Sequence, residues 1–298
     1  MRIACVVSFL DEDRYLPSFL DSIAAQTRPP DELLLVDDGS RDRSQQVAER
    51  FAAGHAGHAD HAGVRLLCRE RRARERDRLL NAPELRAFRW AVGQLSEPWD
   101  VVVKMDADLS LSPDLFATME REFERDERLG IGGAYLSVVD PHTQQLRRER
   151  CRSYHTRGGT KFYRRACWEQ IGPLPEALGW DTIDEIAARR AGWRTASVAC
   201  DAGDTIHLRP TGVYDGRVRA QYRWGSCAYG IGQHPLWVLA SAMRRIGEPP
   251  FGLAALAFLS GWVAARLRGG PRASVELREF GRSEQLAELR SFVRELAT

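Results

Sequence analysis

Val101-Val102-Val103-Lys104-Met105-Asp106-Ala107-Asp108, continued by Leu109-Ser110-Leu111-Ser112-Pro113, is the stretch on which the fold turns. Its apolar, β-branched run predicts a strand buried on both faces that ends abruptly in two carboxylates. Open α/β sheets bind their ligands at that carboxyl end. Asp106 and Asp108 stand two apart on an extended backbone, so both project to one side and can face one divalent cation or one ligand hydroxyl. An Asp-rich turn at a solvated strand end has the same local pattern, so the chemistry needs support from elsewhere in the chain. Ser112-Pro113 then predicts a helix start, with Leu115, Phe116, Met119 and Phe123 recurring at helical spacing.

Toward the N-terminus the same arrangement repeats. Ile3 to Phe9 reads as an apolar strand, after which Asp11-Glu12-Asp13 opens a helix with Tyr15, Leu16, Phe19, Leu20 and Ile23 on one face. Leu33-Leu34-Leu35-Val36 runs into Asp37-Asp38-Gly39-Ser40, again placing carboxylates at a strand end, ahead of a helix carrying Val47, Ala48 and Phe51. Strands alternating with helices predict a parallel, right-handed βαβ layout. A further strand is expected over Val64 to Leu67, and the mixed-charge run Arg69 to Arg78 reads as a solvated segment from which Arg69, Arg71 or Arg72 reaches a phosphate or base. Three histidines between Gly54 and Gly63 lack a supporting Cys or second carboxylate and read as a surface loop.

Composition sets the limits of function. The 298 residues are 44% hydrophobic and 28% charged, enough for a large core in one large domain or in one domain with an appendage. With 43 basic against 41 acidic residues, a nucleic-acid-coating surface is not expected. Six cysteines lie far apart with no C-x-x-C pair, and the N-terminus enters a strand directly, which predicts reduced thiols in the cytoplasm. No uncharged run reaches the eighteen or so residues of a spanning helix. Only Lys104 and Lys161 are lysines among the 43 basic residues, and both sit inside motifs where a compact ammonium on a flexible stem matters.

Ile3 to Glu12 followed by Tyr15-Leu16, then Val36-Asp37-Asp38-Gly39-Ser40, then Asp106-Ala107-Asp108, together resemble the nucleotide-sugar half of family 2 glycosyltransferases in order and spacing. The resemblance implies a Rossmann-like α/β domain with a mostly parallel sheet, the GT-A-type fold. It also implies a nucleotide-diphosphate sugar donor, a carbohydrate or lipid-linked acceptor, and a divalent metal, Mg2+ or Mn2+. On that likeness Asp38 contacts the base and Asp106 the ribose or sugar side, and Ser8, Arg71 and Lys104, read from their places in these stretches, join them in the nucleotide-sugar site. Asp108 holds the metal on the sugar diphosphate.

The chemistry asks for these residue types. Cleaving the bond from anomeric carbon to phosphate develops positive charge on the sugar and negative charge on the leaving diphosphate. A metal on one or two carboxylates neutralises the diphosphate, and a further carboxylate must take the acceptor's proton. Gly158 to Arg165 and then Cys167 to Gly172 resemble the family's acceptor half. Counting back from Ala191-Gly192-Trp193-Arg194 places Trp180-Asp181 where family members commonly carry Glu-Asp, which implies Asp181 as the base. Trp180 departs from that pattern, and Asp184 and Glu185 remain alternatives one turn later on the same helix. Within Asp204 to Gly212, the resemblance implies His207 as a further metal ligand, while Arg209 is a fork-shaped donor for the leaving diphosphate.

The resulting expectation is a catalytic domain over residues 1–225, its nucleotide-sugar half in 1–110 and its acceptor half in 111–225, followed by a helical extension over 226–298. Gln221-Tyr222-Arg223-Trp224 is similar to the Q-x-x-R-W signature of processive synthases but one residue shorter, which leaves polymerisation unsupported. Pro235 to Met243 and Phe251 to Ala265 are charge-free and read as two short apolar helices with arginines at their ends, suited to the inner face of a membrane. Two rivals from other classes are a sugar nucleotidyltransferase, which would favour a glycine-rich loop after the first strand, and a non-catalytic sugar-nucleotide-binding subunit.

Overall fold

The computed structural model describes residues 1–55, 63–70, 81–96, 98–140, 143–149, 151–209 and 216–297. In chain order the elements are β1 (Ile3–Phe9), α1 (Leu16–Ala24), β2 (Glu32–Asp37), α2 (Ser44–His55), β3 (Gly63–Cys68), α3 (Pro83–Val92), β4 (Val101–Asp106), β5 (Leu109–Ser110) and α4 (Leu115–Arg125). Then come β6 (Leu129–Ala134), β7 (Leu136–Val139), β8 (Leu146–Arg148), β9 (Thr160–Arg164), α5 (Arg165–Ile171), α6 (Trp180–Arg190), β10 (Arg194–Val198) and β11 (Thr205–His207). The chain ends in α7 (Arg217–Ile231), α8 (Pro235–Arg245), α9 (Leu253–Leu267) and α10 (Val275–Ala297).

Two compact units result: Met1–Gly172 with Ala191–Pro210, and Pro173–Arg190 with Thr211–Thr298. The boundary expected at residue 225 falls inside α7, and α6, expected in the acceptor half, belongs to the second unit.

The first unit is an α/β domain around a seven-stranded sheet of order β10-β6-β9-β4-β1-β2-β3. All neighbours run parallel except β9, which is antiparallel to both β4 and β6. The apolar runs of β1, β2 and β4 are buried along almost their whole length, as strands covered on both faces must be, whereas β3 at the sheet edge is half-exposed. Amphipathic α4 buries Leu115, Phe116, Met119 and Phe123, with the Phe116 ring 5.4 Å from that of Phe162 on β9. Each such side chain withdrawn from water contributes about 1.5–3 kcal/mol. A smaller four-stranded sheet, β5-β11-β7-β8, brings residues 205–209 beside the end of β4.

Two local details position the site. The acidic run after β1 does not enter a helix: α1 begins at Leu16, with Pro17 in its first turn, where a missing N–H costs nothing. Residues 11–13 instead tie the β1 loop to the β2 loop. Asp11 N–H donates to Ser40 Oγ at 3.0 Å, and Asp11 Oδ1 accepts from Arg41 N–H at 2.7 Å. The turn after β2 needs Gly39, whose φ is 91°, and is closed by Asp37 Oδ1 accepting from Ser40 N–H at 2.8 Å.

The second unit is helical. A Cβ on Gly225 would strike the Phe258 carbonyl and one on Gly261 the Tyr222 carbonyl, so α7 and α9 touch backbone to backbone at two glycines. Gln221 is buried there, its Oε1 accepting from Arg245 Nε at 2.8 Å, which gives the Gln221-to-Trp224 stretch a packing role. The expected apolar helices are α8 and α9, and the expected helical extension ends in α10, 23 residues long. Among the described residues no helix is long and apolar enough to cross a membrane.

Candidate active site

The carboxyl ends of β1, β2 and β4 deliver the first group of side chains. Ser8 lies in register beside Asp106 across β1 and β4. Asp37 is spent on its turn, leaving Asp38 to face Arg69, which donates from Nη1 to Asp38 Oδ1 at 2.6 Å. The Arg69 guanidinium also lies over the Trp90 ring of α3 at 5.7 Å, so a carboxylate, a fork of donors and an aromatic face stand together. Arg71 and Arg72, and most of the expected histidine loop, lie outside the described residues. His55 is described, and its ring stacks on Phe51 at 4.0 Å.

Lys104 points into the protein. Only 2% exposed, its ammonium donates to Asp106 Oδ1 and to the Gly158 carbonyl at 2.8 Å, and it pairs with Glu84 of α3. Lys161, fully buried, sits opposite it in the antiparallel register of β4 and β9. The structure therefore makes Lys104 the group that aims Asp106. Lys104→Met would leave the Asp106 and Glu84 carboxylates facing each other, and is expected to cost about 3 kcal/mol, the low end for a broken buried pair because both acids keep some solvent. Lys104→Arg, an overpacking change, should cost about 1–3 kcal/mol. Urea denaturation checks both, and wild-type midpoints for the two variants would mean Lys104 carries no such load.

Beyond β4 the chain turns through β5, and β11 returns His207 and Arg209 to Asp108. Arg209 donates from Nε and Nη2 to Asp108 Oδ2 at 3.1 and 2.8 Å, and from Nη2 to Glu12 Oε1 at 2.9 Å. His207 Nε2 lies 3.4 Å from the same Asp108 oxygen, and its Nδ1 lies 3.6 Å from Glu149 Oε1. Burial pushes the Asp108 carboxyl up, but the hydrogen bond and charge of His207, with those of Arg209, hold it below the usual carboxylate range. Burial pulls His207 down, yet its bonds to Asp108 and Glu149 win and push its pKa up to about 9. Acids and bases thus alternate from Glu12 through Arg209, Asp108, His207 and Glu149.

Asp108 Oδ2 and His207 Nε2 lie 3.4 Å apart, close enough to ligate one cation between them. Carboxylate oxygen with imidazole nitrogen suits Mn2+, and Mg2+ sites likewise use one or two protein ligands plus phosphate oxygens and water. Among the described residues no three His, Cys, Asp or Glu side chains converge as a complete metal shell, so the pair fits a cation completed by its substrate.

The three proposed bases all lie on α6. Asp181 is half-buried in the first turn, whereas Asp184 and Glu185 are fully buried and Glu185 pairs with Arg189 Nη1 at 3.7 Å. Sequence reasoning had not assigned site roles to Glu12, Glu84, Trp90 or Glu149. Glu12 stood in an acidic run that offered a signal; Glu149, inside an arginine-rich stretch, had none.

The fold and this cluster define an α/β domain with acidic and basic side chains gathered at the carboxyl ends of its parallel strands, where open sheets of this kind bind ligands. The sequence model described as Glycosyl transferase family 2 matches residues 4–173, more than half of the chain, and the protein belongs to that family. No curated protein matches the chain. Among solved structures, the mannosyltransferase PcManGT from Pyrobaculum calidifontis, in complex with GDP-Man and Mn2+, is similar over 98% of this chain and 80% of its own, at 19% identity and TM-score 0.55. TarS 1-349 from S. aureus in complex with UDP is similar over 83% of this chain and 72% of its own, at 15% identity and TM-score 0.51. Glucosyl-3-phosphoglycerate synthase from Mycobacterium tuberculosis, in complex with Mn2+, UDP and phosphoglyceric acid, is similar over 78% and 81%, at 17% identity and TM-score 0.50. At these identities the likeness establishes the fold.

Proposed function

We propose that this protein is an inverting, metal-dependent hexosyltransferase that moves a sugar from a nucleotide-diphosphate donor to a hydroxyl of a carbohydrate or lipid-linked acceptor, in cell-surface polysaccharide or glycolipid assembly. The observation that carries the reading is Asp108, His207 and Arg209 meeting at one carboxylate oxygen beyond β4, inside a family 2 domain. The complexes of the similar proteins with GDP-Man, UDP and Mn2+ support it.

In this reading Asp38 and Arg69 receive the base, and Asp106, aimed by Lys104, takes the ribose or sugar side. Asp108 and His207 hold Mg2+ or Mn2+, which when bound neutralises charge on the leaving diphosphate. Arg209, a fork held by Glu12 and Asp108, offers donors to the same phosphates. Asp181 accepts the acceptor's proton as its oxygen bonds to the anomeric carbon and the bond to the diphosphate breaks. A single displacement from the opposite face inverts the anomeric centre. Incubating the protein with a panel of sugar nucleotides and Mn2+ or Mg2+ tests the reading: nucleoside diphosphate released with every donor at no more than the spontaneous rate overturns it.

In this reading the protein works in the cytoplasm, at the inner membrane face. On α8, Leu236, Leu239 and Met243 are exposed on one side; on α9, Leu253, Leu256, Val263 and Leu267 recur at helical spacing and are exposed too. Arg244, Arg266 and Arg268 at the helix ends are exposed beside them and add about 1 kcal/mol each near an anionic surface. Co-sedimentation with anionic vesicles is expected at low salt and is expected to fall at high salt or with neutral lipid. Protein that stays in the supernatant with anionic lipid at low salt, while folded and active on a soluble acceptor, removes the membrane role.

A further inference from the structure

His207 presents two ring nitrogens to two different carboxylates, and only one of these was assigned a role above. Nε2 faces Asp108, whereas Nδ1 faces Glu149 Oε1 at 3.6 Å. Glu149 is itself fixed. Its backbone N–H donates to the Leu136 carbonyl of β7 at 2.8 Å, its Oε2 lies 3.1 Å from Arg157 Nη2 in an ion pair, and its side chain is 10% exposed. Strand β7 is the parallel neighbour of β11, with Val138 opposite His207, so one small sheet sets the spacing of acid and imidazole.

A neutral imidazole keeps its proton on one nitrogen and its lone pair on the other, and the partner of the first decides which is which. A carboxylate at Nδ1 retains the proton there and leaves Nε2, beside Asp108, as the nitrogen that a cation can take. We infer that Glu149 is a positioning residue, which fixes the tautomer and ring plane of His207 so that Nε2 and Asp108 Oδ2 present a preformed pair to a divalent cation. The inference rests on the reading of Asp108 and His207 as that cation's ligands. Glu149 touches neither donor nor acceptor in this scheme; it acts through the ring.

The test uses Mn2+ alone, with no donor and no turnover, and reads free Mn2+ by electron paramagnetic resonance in the full-length protein. Glu149→Ala is expected to weaken Mn2+ binding about 10–100-fold. Glu149→Gln should lose less, because an amide oxygen can still face Nδ1–H; a merely structural role would not order the two variants this way at equal melting temperature. Asp108→Ala and His207→Ala serve as references. If those two lose Mn2+ and both Glu149 variants bind it as the wild type does, the positioning role is overturned and the cation pair stands. If Asp108→Ala and His207→Ala also bind Mn2+ unchanged, the cation reading fails and this inference falls with it. Should Glu149→Ala not fold, Glu149→Gln alone decides: a several-fold loss supports the role, and an unchanged constant overturns it.

Discussion

Asp181→Asn is expected to lower turnover by about 10²–10⁴-fold, the usual contribution of a positioned general base, with donor binding retained. Asn has nearly the size of Asp and tolerates the first turn of a helix, so α6 should form as before. The position argues for the role. Asp181 is the half-exposed acid of the three, whereas Asp184 is fully buried and Glu185 is buried against Arg189. A base must reach a substrate proton, and buried acids serve packing instead. Asp184→Asn and Glu185→Gln should therefore show their cost in melting temperature before turnover. Measured kcat and nucleoside-diphosphate affinity for the three variants separate the cases. Full turnover in Asp181→Asn, with loss in a well-folded Asp184 or Glu185 variant, would transfer the role along the helix. No loss in any of them would favour a binding subunit.

Asp108→Ala is expected to remove metal-dependent turnover, by about 10²–10³-fold or more, because charge that develops on the diphosphate loses its preorganised partner. The fold should survive. Arg209 keeps Glu12 at 2.9 Å and His207 keeps Glu149 at 3.6 Å, so neither cation is stranded when the carboxylate goes. The cost in stability is on the order of 1–3 kcal/mol, that of hydrogen bonds to a charged group. Rates at several Mn2+ concentrations, beside a thermal melt, decide the matter. A variant with wild-type rate at every concentration, or a wild type indifferent to metal, would sink the assignment of Asp108.

The residues that were legible in the sequence are those whose signal is local. Apolar runs ending in Asp37-Asp38 and in Asp106-Ala107-Asp108 declare buried strands with acids at their carboxyl ends, because side-chain alternation and burial are properties of a few consecutive residues. The helical spacing of Leu115, Phe116, Met119 and Phe123 is of the same kind. Partnership across the sheet is not. Lys104 stands in a strand whose pattern says nothing about Glu84 of α3, and tertiary packing turned its ammonium inward to hold Asp106. Arg209 meets Glu12 across 197 positions, and Glu149 reaches His207 only because β7 and β11 pair. The sequence by itself determined the parallel α/β core and the strand-end acids. The tertiary structure alone decided which charges face one another, because the distance between groups far apart in the chain is set by strand order and by the return of β11, neither of which is written in any short stretch of residues.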